Sequence, residues 1–313
     1  MSDHPQVQFT RVEAGAAGQR LDNFLLAQLK GCPKSRIYRM IRKGEVRLNR
    51  KRARPDSRVA EGDMVRIPPV RLAERTAPPK PGASLADLLQ NRILLENDDF
   101  LVIDKPAGLA VHGGSGVRLG LIEALRQIRP EWQSLELVHR LDRDTSGCLI
   151  VAKNSIFLKE INRQLKNKSV SKIYLALVQG FWPDTLHEID APLQKYRLES
   201  GEGMVRVADE GKPALTRFRV LEHFGRLATL VEVQLETGRT HQIRVHCRHA
   251  GHAILGDAKY GSRDLPAALQ GVQRLCLHAA RLEFSYPSGG PGYRIEAALD
   301  ADFEATVKLL RSQ

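Results

Sequence analysis

Residues 139–147, His-Arg-Leu-Asp-Arg-Asp-Thr-Ser-Gly, gather several side chains that can ionise or hydrogen-bond to a ligand. They come directly before residues 148–153, an apolar run typical of a buried strand. Functional groups concentrate in turns that a rigid element positions, so this stretch is a candidate for acid–base chemistry on a bound molecule. The same composition also occurs where Asp144, Thr145 and Ser146 only bond to their own turn backbone. Residues 139–147 taken alone are therefore consistent with both interpretations, catalysis and local capping.

A second stretch, residues 238–252, is rich in arginine and histidine. Thr240 can begin a helix and Gly251 can end it, which places His241, Arg244 and Arg248 on one face. Four histidines and a cysteine raise the question of zinc, but neither tight repeated ligand spacing nor nearby acids are present. We therefore predict a cationic helix face and no metal site.

The elements that must position these residues are strands and helices in alternation. Residues 111–116 form a glycine-rich loop that matches neither common nucleotide-binding pattern, so we expect no nucleotide cofactor. Asn154 is placed to cap a helix. The periodicity predicts strands at 93–96, 100–104, 173–178, 215–221 and 227–235.

The composition is that of an ordinary globular protein: 313 residues, 42% hydrophobic and 27% charged. No apolar run is long enough for a membrane helix or resembles a signal sequence, so we expect a cytoplasmic protein that does not contact membranes. Four cysteines without paired spacing indicate reduced core thiols rather than disulfides or a zinc site.

Positive charge is concentrated near the N-terminus. Residues 1–80 hold 18 Lys and Arg against 8 Asp and Glu, which is +10 of the net +12. Two helices are predicted, at 20–29 and 35–44, and eleven Lys and Arg lie between residues 34 and 58. Such a charge density favours a polyanionic partner over a merely solvated surface. The candidate RNA-binding residues are Lys34, Arg36, Arg39 and Lys43.

Prolines separate this basic region from the rest. Pro68 and Pro69, followed by Pro78, Pro79 and Pro81, predict an extended, semi-rigid connection. We therefore predict a small domain at 1–75, a linker at 76–92 and a larger domain at 93–313.

The two domains resemble two known families. Residues 20–25, 35–49 and 62–63 resemble the S4 RNA-binding domain, which favours structured RNA over duplex DNA. Residues 139–147 resemble the HRLDxxTSG motif of the RluA-type pseudouridine synthases. Further segments match that family in order: residues 98–108, 172–180, 237–246, 256–257, 260–261 and 277–279.

This resemblance implies an α+β fold, in which an S4-like domain precedes a larger synthase domain with a mixed, mainly antiparallel sheet. It implies isomerisation of uridine to pseudouridine in bacterial 23S ribosomal RNA, free or in the assembling large subunit, by a monomer without cofactor. The catalytic carboxylate falls on Asp142, the active-site tyrosine on Tyr174 and the arginine that pairs with the aspartate on Arg244. Arg140 takes the position that holds RNA with the target base flipped out.

Three alternatives are kept. A non-catalytic RNA-binding or ribosome-assembly protein would explain the charge but not the set formed by Asp142, Tyr174 and Arg244. A member of the same family acting on transfer RNA or on another ribosomal uridine would share all of these residues. A metal-dependent hydrolase using the histidines would lose activity with a chelator.

Overall fold

A computed structural model describes residues 6–29, 31–70, 79–114, 117, 119–132, 134–262, 265–272, 274–286 and 290–313. The chain divides into two compact units, residues 1–77 and 78–313. None of the helices in these ranges combines the length and the apolarity that crossing a membrane requires. Residues 76–78 of the predicted linker, and Ser115 and Gly116 of the glycine-rich loop, lie outside the described residues.

The smaller unit packs two helices beside a three-stranded sheet with the order β1-β3-β2. Its apolar core includes Ile37, Met40 and Ile41, which share one face of the second helix. That helix ends at Gly44, whose left-handed backbone (φ 70°) is readily adopted by glycine. The elements are β1 (Gln8–Arg11), α1 (Leu21–Gln28), α2 (Lys34–Lys43), β2 (Arg47–Leu48) and β3 (Met64–Ile67).

The larger unit is built around a ten-stranded sheet. Its helices are α3 (Ala83–Asn91), α4 (Leu121–Ile128), α5 (Ser155–Lys166), α6 (Gln242–His249) and α7 (Ala301–Arg311). Its first strands are β4 (Ile93–Glu96), β5 (Phe100–Lys105), β6 (Glu136–Leu137), β7 (Ser146–Ala152), β8 (Ser171–Gln179) and β9 (Glu188–Asp190). The others are β10 (Leu193–Arg197), β11 (Gly203–Val207), β12 (Leu215–Phe224), β13 (Ala228–Leu235), β14 (Leu277–Ser285) and β15 (Gly292–Glu296). Strands β10 and β11 form a separate two-stranded sheet, and the other ten form the main sheet.

The main path through this sheet has the order β4-β5-β7-β14-β8-β13-β12-β9. Pairing is antiparallel within the described strands except between β7 and β14, which run parallel. Apolar clusters cover both faces: Leu149 and Val151 of β7 join one, and Cys148 and Ile150 join the other. A strand buried on both faces reads as an unbroken apolar run, which is why residues 148–152 lack alternation.

The α+β architecture with a mainly antiparallel sheet confirms the predicted fold class. Asn154 caps α5 by accepting hydrogen bonds from the backbone N–H groups of Ile156 and Phe157, as predicted. The four cysteines are free and buried.

Helix α3 occupies most of the second half of the range 76–92, for which a linker was predicted. Its Leu89 is fully buried in the core of the larger unit, so residues 83–91 belong to that unit and not to a connection. Leu85, Leu88 and Leu89 do follow helical spacing, but the prolines directly before them, up to Pro81, extended the linker prediction across this helix.

Candidate active site

The loop at residues 139–145 is held by contacts on several sides. Lys105, which is fully buried, donates three hydrogen bonds of 2.8 Å, to the backbone carbonyls of Pro106, Leu109 and Arg143. Nε2 of His139 accepts the backbone N–H of Ile150 at 3.2 Å. Asp142 therefore lies in a loop that is fixed to strands β5 and β7.

None of the bonds required by local capping is found in this turn as the structure describes it. The side chain of Asp144 pairs with Arg143, and Oγ of Ser146 bonds to Nδ1 of His278 (2.8 Å) and to Arg274. Gly147 has a φ of 105°, and a Cβ at this position would lie 2.3 Å from the carbonyl oxygen of Ala279. The turn is shaped by contact with β14 rather than by its own side chains.

Helix α6 is anchored to the neighbouring β12. The buried side-chain amide of Gln242 donates to the carbonyl of Leu215 (3.0 Å) and to Oγ1 of Thr216 (2.9 Å). Thr216 also bonds to His246, whose Nε2 bonds to the carbonyl of Ala191. These contacts fix the helix that carries Arg244.

His241, Arg244 and Arg248 lie on one side of this helix, as predicted, and all three contact Tyr260, but Arg244 is buried rather than presented to solvent. His241 precedes the helix with a left-handed backbone (φ 54°), and Arg244 is only 4% exposed. Arg248 donates to the carbonyl of Tyr260 at 2.8 Å. The spacing placed these residues on a helix correctly from residue 242 onward, but it could not show that Arg244 faces the interior.

Arg244 connects two carboxylates. It makes a bidentate pair with Asp257, at 2.8 Å from Nε and 2.6 Å from Nη2, and its Nη1 lies 3.3 Å from Oδ2 of Asp142. Burial alone would lower the pKa of Arg244, but the bonds to Asp257 and the charge of Asp142 raise it above its ordinary value. Burial would likewise raise the pKa of Asp257, yet Arg244 and two backbone N–H groups lower it. Arg244 is therefore a fixed cation, oriented by Asp257 and presented to Asp142.

A cavity of about 430 Å³ brings these residues together. Its lining includes Asp142, Arg244, Arg140 and Tyr174. Burial, followed by the charge of Asp142, raises the pKa of Tyr174, so its phenol is protonated in the resting site. No protein group in the described ranges bonds this hydroxyl, although the ring is packed in the core. The site thus combines a carboxylate, a guanidinium and an aromatic ring around one space.

The predicted RNA-binding residues fall in both units. Arg140 is exposed at the cavity, whereas Lys34, Arg36, Arg39 and Lys43 lie on α2 of the smaller unit. Lys34, Arg39 and Lys43 are exposed and Arg36 is half-buried. In the part of the chain that the structure describes, no three His, Cys, Asp or Glu side chains converge as a metal site would require.

Sequence reasoning did not predict the contacts that three residues make in this site, although it placed His241 on the cationic helix face. Lys105 supports the loop, Asp257 orients Arg244, and Nε2 of His241 lies 3.9 Å from Oδ2 of Asp142 while its Nδ1 bonds to the Tyr260 hydroxyl. Each lies in a segment that carried the family resemblance, and that was the available signal. Their partners are brought close by the fold, so spacing could not identify them.

Comparison with known proteins defines the class. Residues 99–249 match the family described as RNA pseudouridylate synthase, and residues 19–65 match the S4 domain. The chain belongs to the RNA pseudouridylate synthase family, and it is an RNA pseudouridine synthase with an S4 domain.

Individual relatives are similar over the whole chain. Ribosomal large subunit pseudouridine synthase C of Yersinia pestis is 52% identical, with 99% of this chain and 98% of the relative covered. The protein of the same name from Escherichia coli (strain K12) is 51% identical, with 99% of each covered. The solved structure of human RNA pseudouridylate synthase domain containing 4 has a TM-score of 0.61 at 27% identity, covering 73% of this chain and 96% of that one. These relatives confirm the resemblance that the motifs indicated.

Proposed function

We propose that this protein isomerises specific uridines of bacterial 23S ribosomal RNA to pseudouridine. The observation that carries the proposal is the end-to-end identity of just over one half with proteins named ribosomal large subunit pseudouridine synthase C. The cavity that holds Asp142, Tyr174 and Arg244 supports it, because these three residue types fit the reaction. The three residues line one cavity of a single chain, so these groups need no second subunit, and the protein acts as a monomer in this proposal.

The reaction breaks the bond between N1 of uracil and C1′ of the ribose, turns the base and joins C5 to the same carbon. C5 loses a proton and N1 gains one, so no atom or electron is lost from the nucleoside overall. Hydrolysis of a glycosidic bond ordinarily uses two carboxylates, one of them to activate water or attack the sugar. Here the leaving base is recaptured, so one carboxylate suffices, and Asp142 acts as the nucleophile or as the base toward the sugar.

Arg244 has the role of orienting Asp142 and holding it in its charged form. Because Asp257 already takes two hydrogen bonds from Arg244, the guanidinium keeps its place whatever Asp142 does during the reaction. Tyr174 stacks on the uracil. Its raised pKa favours the protonated phenol, so it can accept the C5 proton only if its own proton leaves first.

Flipping a stacked uridine into the cavity costs a few kcal/mol. Arg140, exposed at the cavity, is placed to hold the RNA with the base turned out. On α2, Lys34, Arg36, Arg39 and Lys43 contact RNA phosphates and add affinity through effective concentration. The substrate is the free RNA or the assembling large subunit.

The test compares wild type with Asp142→Asn on unmodified 23S RNA, without nucleotide or metal, and maps pseudouridine by carbodiimide-dependent primer-extension stops. We expect Asp142→Asn to lower the rate by at least about 10²-fold, the lower end of what a positioned base contributes. Asp144→Asn is the matched control, because it removes a carboxylate from the same turn.

Each outcome has a distinct meaning. Equal stops with wild type and Asp142→Asn would overturn the role of Asp142. Absence of stops with wild type would support a binding protein, and stops in transfer RNA but not in 23S RNA would change the substrate. A hydrolytic activity that is lost with a chelator, without formation of pseudouridine, would support the hydrolase alternative.

A further inference from the structure

Lys172 is a cation in the catalytic cavity that the reaction described above does not use. It lies on β8 two residues before Tyr174, and side chains two apart on a strand point to the same face. It lines the cavity together with Asp142 and Arg140. Its ammonium makes no hydrogen bond or ion pair with any residue in the described ranges.

A partly buried ammonium without a partner is unfavourable for folding. Burial accordingly lowers the pKa of Lys172. The nearby backbone is that of Gly238, where an added Cβ would lie 3.8 Å from Nζ of Lys172. The unpaired ammonium belongs to a side chain that lines the catalytic cavity.

A groove of about 500 Å³ continues from the cavity at this point, and Lys172 lines both. Three more cations, Lys166, Lys168 and Arg239, line the groove and are exposed. The carboxylate among its described lining residues is that of Glu236, which is 3.4 Å from Arg217. The groove therefore carries an excess of positive charge that the protein itself does not neutralise.

Lys168 has an uncommon backbone for its residue type. It has a φ of 59° and follows the end of α5, a position where glycine or asparagine is usual. Lysine has no backbone advantage over glycine or asparagine in this conformation. We therefore attribute its presence to its charged side chain.

We propose that Lys172 binds the phosphate of the flipped uridine nucleotide and that Lys166, Lys168 and Arg239 bind the neighbouring phosphates of the same strand. This rests on the proposed function. An ammonium is a compact charge that suits a phosphate oxygen, and flipping rotates the nucleotide about its backbone, which keeps the phosphates at the mouth of the pocket. Lys172 is then a binding residue that fixes the sugar relative to Asp142.

The test replaces Lys172 with Met and with Arg and measures KM, kcat and the dependence of RNA affinity on salt. The contact exists before and during the chemical step, so Lys172→Met should raise KM about 10-fold or more and change kcat less. One lost phosphate contact on single-stranded RNA should reduce the salt slope by about 0.7. Lys172→Arg should restore most of the affinity. Lys308→Met, an exposed lysine on α7, is the control for loss of one charge.

Gly238→Asp provides an internal counter-ion for Lys172, and Gly238→Asn provides a side chain of the same shape without charge. We expect weaker RNA binding with Asp than with Asn. Lys172→Met should fold at least as stably as wild type, because no bond is lost, so a binding defect is not a folding defect.

If Lys172→Met left both KM and the salt slope unchanged, the proposal would be overturned. It would also be overturned if the Met and Arg variants lost the same amount of kcat while their KM stayed constant. Affinities measured in the Asp142→Asn background need no turnover. They separate this proposal from the proposed function, which fails if wild type forms no pseudouridine in 23S RNA.

Discussion

At the scale of single residues, His139 shows how burial fixes a protonation state. Its Nε2 accepts the backbone N–H of Ile150, so this nitrogen carries no proton. Burial, together with the nearby charge of Lys172, lowers the pKa of His139 to about 3. The neutral imidazole is therefore part of what holds the loop that carries Asp142.

Acidification should destabilise the protein through this histidine. The folded state keeps His139 neutral down to about pH 3, whereas the unfolded chain binds a proton near pH 6.5, so stability is complete above that value and falls between the two. Once both states are protonated, the accumulated loss in the free energy of unfolding is on the order of 5 kcal/mol.

Urea denaturation across this pH range tests the effect, with His139→Gln as the variant. Glutamine can still accept a hydrogen bond but does not titrate, so its stability should depend less on pH. His187→Gln, at an exposed histidine, is the control and should follow wild type. If the free energy of unfolding depended on pH in the same way for wild type and His139→Gln, the prediction would be contradicted.

At the scale of elements, the contact between β7 and β14 sets the position of the catalytic loop. The two strands pair in parallel at Ser146 and Gly147, against His278 and Ala279. Gly147 lies so close to β14 that a side chain has no space. The absence of a Cβ therefore determines how near the two strands approach.

Gly147→Ala should lower the free energy of unfolding by about 3 kcal/mol or more, because backbone strain at positive φ adds to overpacking against Ala279. Gly108→Ala is the matched control: its φ is 82°, but nothing lies within 4 Å of the added Cβ. It should cost about 1 to 2 kcal/mol from strain alone. If urea denaturation gave the same loss of unfolding free energy for both variants, the close approach of Gly147 to β14 would not account for the cost of a side chain there.

At the scale of the whole molecule, most of the net positive charge and the catalytic cavity are located in different units. The apolar face of α2 packs in the core of the small unit, and its cations face outward. The cavity lies in the larger unit, which has its own core. We therefore expect that affinity for RNA can be changed without changing the chemical step.

A triple variant with Gln at Lys34, Arg39 and Lys43 tests this separation. If each contacts a phosphate of paired RNA, the slope of log affinity against log salt should fall by about 2 to 3, since each contact contributes somewhat less than one. KM should rise and kcat should stay near wild type, because these residues are absent from the cavity lining. A salt slope in the triple variant equal to that of wild type would contradict RNA binding by this helix.

The sequence predicted the general fold because long periodic segments such as β8, β12 and β13 carry strong patterns. It predicted Asp142, Tyr174 and Arg244 through family resemblance, and the structure brings all three to one cavity. Residue patterns alone left the turn at 139–147 ambiguous. The contacts that decide it, from Lys105, Asp257 and β14, join residues far apart in the chain or in irregular loops. Neither spacing nor propensity predicts such contacts.

The place of β14 in the strand order has a consequence for folding. It lies between β7, which follows Asp142, and β8, which carries Tyr174, yet it begins at Leu277, long after β8 ends at Gln179. Until residues 277–285 insert, the sheet remains two separate halves that each hold part of the site. During synthesis the catalytic cavity therefore closes only after residues 277–285 have left the ribosome. Contacts so distant in sequence also predict slow folding of the larger unit, since loop closure must precede them.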